Sequence, residues 1–219
     1  MESKITDGPS FAHINFYLEP GESLTTESDA MASMSAEMDM KASFNGGLIS
    51  GLLKKFLGNE SLFVSHFTNN TNKILHLCVT QATPGDMRKV SLDNDSICLQ
   101  PGAYICSTPG VKLGLRWAGF ASLIAREGLF KLVMSGKGDV WYGAYGCLLD
   151  KEVNGEYIID TSHLVSYEPQ MKLKIQLSGG IFSSFFSSEG FVNRIEGKGK
   201  IVIQSRSIDG LRGWMNPRI

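Results

Sequence analysis

The chain has 219 residues, enough for one large domain or two small ones, and it can bury a core without disulfides or metal ions. Its 21 basic and 22 acidic residues nearly cancel, which argues against nucleic-acid binding through net charge. The N-terminus carries no signal core or arginine-rich presequence, and no run approaches the roughly 18 apolar residues of a membrane-spanning helix. We therefore expect a cytoplasmic protein.

Cysteine spacing gives no sign of a metal or redox site. None of Cys78, Cys98, Cys106 and Cys147 stands in a C-x-x-C pair, which excludes the usual zinc-ribbon and thioredoxin-type motifs. They lie in apolar runs such as residues 74–79, so we expect small buried side chains in a reducing compartment.

Most of the chain alternates apolar and polar residues. In residues 34–44, methionine, alanine and phenylalanine take every second position, while serine, lysine and acidic residues take the others. Such alternation buries one face of a strand. The pattern recurs at residues 111–117, 172–177 and 200–206. Turn signals separate the runs, at Pro20-Gly21, Pro84-Gly85, Pro101-Gly102 and Asn154-Gly155. The sequence therefore predicts an all-β sandwich or barrel-like fold.

Three of these strands end in the same way, in a glycine break followed by an apolar or small pair and a serine. The breaks are at Gly47, Gly119 and Gly180, and a second glycine motif and a returning strand come after each. The order predicts one domain over residues 1–219, built from three degenerate β repeats with pseudo-threefold internal symmetry and short polar tails. The repeats cover about residues 11–80, 81–147 and 148–207.

Each glycine break is followed by an apolar segment with a helical period. In the first, Leu48, Leu52 and Phe56 recur every four residues, which predicts a short amphipathic helix. The other two, residues 119–133 and 179–192, are similar. One interpretation is that each helix caps the core or packs between subunits. The other is that the three segments emerge at the same end of the domain and form one surface. The candidate interaction surface consists of Leu48, Leu52, Phe56, Phe120, Leu123, Ile181, Phe182, Phe185 and Phe186, with Lys54, Lys55, Arg126 and Lys131 nearby. Such a surface would serve oligomerisation, a protein partner or a membrane.

The Gly-Lys-Gly motifs at 136–138 and 197–199 do not have the spacing of a phosphate loop. A P-loop needs GxxxxGK[ST] between a strand and a helix, whereas these motifs precede strands. We expect their glycines to supply positive φ in tight turns.

Catalytic motifs are missing from the sequence. It has no GxSxG, no HxH pair and no recognisable Cys–His context for a nucleophile. Asp160 lies three residues before His163, where a carboxylate can orient an imidazole. The favoured alternative is a buried, hydrogen-bonded polar turn between two strands. We expect no catalytic residue, no cofactor and no metal site.

Three stretches form a specific ordered pattern: EPGESLTTESDAMASMSAEMDMKASFNGGLISGLLKKFLGNESLFVSHFTN, DTSHLVSYEP and NRIEGKGKIVIQSRS. They contain Glu27-x-x-x-Met31, Gly46-Gly47, Asp160-x-x-His163 and Gly197-x-Gly199. From about residue 16 to residue 206 the chain resembles the altered-inheritance-of-mitochondria (mitochondrial biogenesis) family and its bacterial relatives. That family shares the fold of the tryptophan RNA-binding attenuator protein-like (TRAP-like) superfamily.

The resemblance implies an all-β fold of TRAP-like units, of the β-sandwich or double-stranded β-helix type, and a tendency to oligomerise. Eukaryotic members are associated with mitochondrial membranes, and the bacterial members have no established activity. Because no mitochondrial targeting segment is visible, the chain resembles the bacterial branch. The ligand-contacting residues of the attenuator protein find no match, so the resemblance carries over the fold and not the ligand.

We therefore expect a non-enzymatic, homo-oligomeric scaffold or interaction protein, cytoplasmic or peripheral to a membrane through its apolar segments. A protein partner or a membrane surface would bind there, and nucleic acid is not expected. The alternative is a small-ligand or RNA-binding module, by analogy with the superfamily.

Overall fold

The structure, a computed structural model, describes residues 1–44, 63–100, 102–117, 130–177 and 191–216. Antiparallel β-strands make up most of these residues. Alternating sequence explains many of these strands, because each buries every second side chain. The strands are β1 Glu2–Thr6, β2 His13–Leu18, β3 Ser23–Glu27, β4 Met31–Met34, β5 Asp39–Phe44, β6 Phe63–Thr68, β7 Leu75–Val79, β8 Met87–Leu99, β9 Tyr104–Ser107, β10 Val111–Trp117, β11 Phe130–Gly143, β12 Leu148–Asp160, β13 Leu164–Tyr167, β14 Lys172–Leu177 and β15 Phe191–Gln204.

The strands form two sheets. One has four strands in the order β1-β2-β7-β4, and the other has eleven. The larger follows the order β12-β15-β13-β8-β11-β9-β3-β6-β5, with β10 added to β11 and β14 added to β15. All the strand pairs are antiparallel. The prediction of an all-β fold is confirmed.

The Gly-Lys-Gly motifs lie inside long strands, so the prediction that they form tight turns is wrong. Gly136 and Gly138 both have positive φ within β11, and the register with β8 shifts between Gly136 and Lys137. A Cβ on Gly136 would lie 2.5 Å from the backbone oxygen of Gly110. The predicted positive φ is therefore real, but it serves a bulge in a continuous strand, where a glycine bends the sheet.

The second and third predicted repeats have the same order of strands and the same pairings. In each, a 13-residue strand pairs along a 14-residue strand, and a four-residue strand and a hairpin strand pair with that same 14-residue strand. The first repeat divides both long strands, because residues 19–22 separate β2 from β3 and residues 69–74 separate β6 from β7. Pseudo-threefold symmetry as a spatial relation stays a prediction.

Apolar side chains gather in three buried clusters. The first joins the N-terminal strands to β11 through Phe16 and Trp141, whose rings meet edge to face with centroids 4.9 Å apart. The second packs around Leu99 and Met134, and the third around Ile195 and Ile201. Because the first cluster contains residues of two repeats, neither repeat buries its side chains alone.

Both ends of the chain contain secondary structure. Strand β1 pairs with β2 from Glu2 to Thr6, so the N-terminus is part of a sheet. A helix, α1, spans Ile208–Met215 and is capped by Ser207, whose hydroxyl accepts from the backbone N–H of Gly210. Its residues are not buried. Among the described residues, no helix has the length and apolarity needed to cross a membrane.

The side chain of Asn69 stabilises the connection between β6 and β7 through hydrogen bonds. Its side chain is fully buried, and its amide nitrogen donates to the backbone oxygens of Leu18, at 2.8 Å, and Lys73, at 2.7 Å. Its Oδ1 accepts from the backbone N–H and the hydroxyl of Thr71. One amide thereby satisfies the backbone of β2 and of the connection to β7.

We predict that Asn69→Ala lowers the free energy of unfolding by about 2–3 kcal/mol, because it leaves several buried polar groups without a partner. Urea denaturation measures the change. Asn70→Ala is the matched control, since the exposed Asn70 bonds Asp39 across 3.2 Å and its loss should cost under about 0.5 kcal/mol. Equal effects of the two substitutions would contradict the role assigned to Asn69.

Candidate interaction surface

Three β-hairpins carry the predicted apolar segments. The last paired residues are Phe44 with Phe63 in β5–β6, Trp117 with Phe130 in β10–β11, and Leu177 with Phe191 in β14–β15. The connections between them, residues 45–62, 118–129 and 178–190, lie outside the described residues. They contain the nine candidate residues Leu48, Leu52, Phe56, Phe120, Leu123, Ile181, Phe182, Phe185 and Phe186.

The hairpin register corrects the bounds of two predicted helical segments. Strand β11 begins at Phe130 and strand β15 at Phe191, both inside the runs that had suggested a helix. The sequence signal for these strand starts is weak, because a short apolar run fits a helix and a buried strand equally well.

The first strand of each hairpin lies at a margin of the larger sheet. Strand β5 ends the strand order, and β10 and β14 pair only with β11 and β15 in the described part of the chain. In the described residues, the first strand of each hairpin is therefore paired on one side only, with the second strand of the same hairpin.

Lys131 is not a surface cation beside the apolar segments. It is 1% exposed, and its ammonium donates to Oε1 of Gln100. The backbone N–H of Gln100 in turn donates to the oxygen of Val165 at 2.9 Å. Lys131 thus contributes to the junction of the second and third predicted repeats, and the sequence missed this because Gln100 lies 31 residues away.

Several surface cations are paired across strands with carboxylates. Lys89 lies 2.7 Å from Asp139, and Lys174 lies 2.8 Å from Glu196. Further pairs are Arg88–Asp150, Lys137–Asp93 and Arg194–Glu156. These five pairs, all among the described residues, place a carboxylate beside a cation, which reduces the positive charge that these cations offer to a phosphate backbone.

Hydrogen bonds also lower the pKa of carboxyl groups among these pairs. Burial alone would raise the pKa of Asp139, but bonds from Lys89 and from the Ser91 hydroxyl outweigh it and hold this pKa below its ordinary value. The bond from Lys174 likewise lowers the pKa of Glu196. The ionised carboxylates therefore favour the folded sheet.

The Asp160–His163 motif forms a polar turn. Asp160 caps the 3-10 helix Thr161–His163 and accepts from the backbone N–H of Ser162 at 2.9 Å. The Nδ1 atom of His163 lies 2.7 Å from the backbone oxygen of Gln204 in β15. The carboxylate thus bonds Ser162 and the imidazole bonds the backbone, an arrangement that joins two strands. No group of three or more His, Cys, Asp or Glu residues suited to a metal ion occurs within the described ranges.

All four cysteines are reduced, and their burial differs. Cys98 and Cys106 are buried, whereas Cys78 and Cys147 are half-buried. Burial raises the pKa of the Cys106 thiol well above its ordinary value, and burial also raises that of Cys78. Such thiols stay protonated at neutral pH and are poor nucleophiles. The prediction of buried cysteines is confirmed for two of the four.

Comparison with known proteins identifies similar chains. A family model described as mitochondrial biogenesis AIM24 matches residues 3–206. An uncharacterized protein of Streptococcus pyogenes serotype M6 is 23% identical over 224 residues, covering 98% of this chain and 90% of that protein. The X-ray structure of a protein from Streptococcus pyogenes has a TM-score of 0.82 at 22% identity and covers 100% of this chain and 99% of its own.

We predict that Asp139→Asn lowers the free energy of unfolding by roughly 1 kcal/mol at pH 7, because the charged bond to Lys89 is lost. A carboxyl whose pKa is lowered by folding stabilises the protein above its unfolded pKa, about 3.9 for aspartate. That stabilisation is lost as the pH falls through the folded pKa, so the difference between wild type and variant should vanish in acid. Urea denaturation across pH 2–7 measures it.

Asp93→Asn is the control, because Asp93 pairs with Lys137 across the same two strands but is 80% exposed. It should change the unfolding free energy by under about 0.5 kcal/mol. A difference for Asp139→Asn that persisted unchanged at pH 2 would contradict the assignment.

Proposed function

The chain belongs to the mitochondrial biogenesis AIM24 family, and from that premise we propose that it is a non-enzymatic scaffold whose apolar segments mediate assembly. The surface formed by these segments binds further copies of the chain, a protein partner or a membrane. The protein acts in the cytoplasm and peripherally to the membrane.

The observation that carries this proposal is the attachment of the apolar segments to three paired hairpins. Each segment leaves its hairpin at a pair of large apolar residues and re-enters the same hairpin directly opposite. A strand pair of fixed register is a rigid support, and large apolar side chains displayed from it are stabilised when another surface covers them. Phe185 and Phe186 make the third segment the most aromatic of the three.

Polar contacts around the remaining candidate residues support a role without catalysis. Asp160 and His163 bond groups of the turn and of β15. The raised pKa of the Cys106 thiol, caused by its burial, disfavours the thiolate that a nucleophile needs. Within the described ranges, the chemistry of these groups is that of structural support.

We predict that Phe185→Ser/Phe186→Ser weakens association by at least about tenfold, because burial of a phenylalanine contributes roughly 1.5–3 kcal/mol. Light scattering coupled to size-exclusion chromatography measures the binding of copies. Flotation with vesicles of phosphatidylcholine and phosphatidylglycerol measures membrane binding.

Phe11→Ser is the control, because Phe11 is 73% exposed and lies outside the three segments. It should leave oligomer size and flotation unchanged, and thermal unfolding verifies that all variants fold. If the double variant keeps the size of wild type and neither protein floats with vesicles, the apolar segments do not have the proposed role.

A further inference from the structure

Two seams join consecutive repeats, and both have the same construction. In each, a four-residue strand pairs with the end of a strand of the preceding repeat. Strand β9 places Cys106 opposite Thr26 of β3, and β13 places Ser166 opposite Leu99 of β8. Every residue of β9 and of β13 is buried.

The first repeat contains a counterpart of β9 and β13. Strand β4 pairs with β7 with a register shift between Met31 and Ser33, just as β9 shifts against β11 and β13 against β15. These shifts place Ser33 at the position of Cys106 and Ser166. The strand β4 is therefore the seam strand of the first repeat.

The third repeat contains the matching acceptor edge. Thr26, Leu99 and Ile159 each pair with the third residue of the strand that returns from a hairpin, namely Ser65, Leu132 and Asn193. Ile159 is therefore equivalent to Thr26 and Leu99, which pair with a seam strand. Ile158 is equivalent to Thr25 and Cys98, which pair with the next residue of that strand.

This third seam is open. In the described part of the chain, β4 pairs only with β7 and β12 only with β15. Ala32 and Ser33 are exposed, unlike their buried counterparts in β9 and β13. Ile158 is 57% exposed, whereas the equivalent Cys98 is fully buried. The equivalent edge is thus paired with a short strand in the first and second repeats, at β3 and β8, and is unpaired in the third, at β12.

Both open edges lack lysine and proline at the positions of the proposed pairing. Exposed edge strands commonly carry lysine, proline or a bulge that prevents another strand from adding to them. Strand β4 reads Met31-Ala32-Ser33-Met34, and its register shift recurs in β9 and β13, each of which still pairs with a second strand. In β12 the two positions of the proposed pairing, Ile158 and Ile159, are uncharged, and the carboxylate of the last residue, Asp160, accepts from the backbone N–H of Ser162. An uncharged, apolar edge is suited to accept an uncharged strand.

We propose that the end of β12 in one copy pairs with β4 of a second copy, with Ser33 opposite Ile159 and Met34 opposite Ile158. A second copy is the fitting occupant because the chain encodes the strand type that fills this edge at its two other seams. Each copy carries one donor and one acceptor edge, so the contact is heterologous and produces a ring if it closes and a filament if it does not. It deepens the proposed scaffold function, since it rests on self-assembly and names the contact that joins the copies.

Disulfide trapping between separately produced chains tests the pairing. Residues directly opposite in an antiparallel pair have Cα atoms about 4.5–5.5 Å apart, within the range of a disulfide. One chain carries Met34→Cys and a second, with an affinity tag, carries Ile158→Cys. Mixing them with copper–phenanthroline as the oxidant should give a covalent heterodimer linked through the two introduced thiols, identified by mass spectrometry of its peptides.

Each single variant oxidised alone controls for links through the native cysteines, and neither should give that peptide. A Met34→Cys/Ile158→Cys chain should give a ladder of linked copies. If instead it yields only an internally linked monomer, and the mixture yields no heterodimer, the seam closes within one chain and the proposal is wrong. Absence of the link in every arm would also overturn it.

Ile158→Lys supplies a second test, because a lysine at this edge opposes strand addition. It should weaken self-association at least about tenfold in light scattering, while Leu149→Lys should leave it unchanged. Leu149 is the matched control, since it is a 46% exposed residue near the other end of β12. Thermal unfolding checks that both variants fold.

The outcomes separate the two proposals. If Ile158→Lys associates like wild type while Phe185→Ser/Phe186→Ser does not, the edge pairing is wrong and the apolar-segment scaffold stands. If Ile158→Lys weakens self-association while Phe185→Ser/Phe186→Ser associates like wild type, the copies join through the edge and the apolar segments have another role. A wild type that stays monomeric at every concentration would contradict the edge pairing, and if it also failed to float with vesicles it would contradict the apolar-segment scaffold.

Discussion

The bend in the long strands is the constraint on which the remaining structure depends. Strand β11 pairs with the hairpin strand β10 through its first half and with the seam strand β9 through its second, and the register shift at Gly136 lies between them. Strand β15 divides its partners between β14 and β13 in the same way, with Gly197 of positive φ at the boundary. A residue with a Cβ would be strained there, so glycine lets one strand serve both a hairpin and a seam.

Period-two alternation in the sequence predicted strands where one face is more buried than the other, and it failed where a short apolar run carries no alternation. Strands β10 and β14 follow the alternation, because their aliphatic side chains are half-buried and the residues between them are exposed. In β5 the predicted burial is wrong, because Met40 is 45% exposed. The starts of β11 and β15 were assigned to helical segments, since their short apolar runs carry no strand-specific period. The burial of Lys131 depends on Gln100 from another strand, which local pattern cannot reveal.

The apolar composition of the three candidate segments is visible in the sequence, whereas the strand pairs that flank them, such as Trp117 with Phe130, are known from the structure. The Asp160–His163 motif forms the predicted hydrogen-bonded polar turn, but the prediction that this turn is buried is wrong, because Thr161–His163 contains no buried residue. Its partner Gln204, 41 residues away, depends on strand pairing and could not be predicted.

The first predicted repeat differs from the other two because both of its long strands are interrupted. Residues 19–22 and 69–74 divide its long strands, so that β2, β7 and β4 join β1 in a separate sheet, whereas β3 and β6 remain in the larger one. The division leaves backbone groups that need new partners, which the buried amide of Asn69 supplies. It also places β4 in a sheet that shares no strand pair with β12 in the described residues. The interruption of the long strands in the first predicted repeat is therefore what leaves unpaired the edge on which the proposed contact between copies depends.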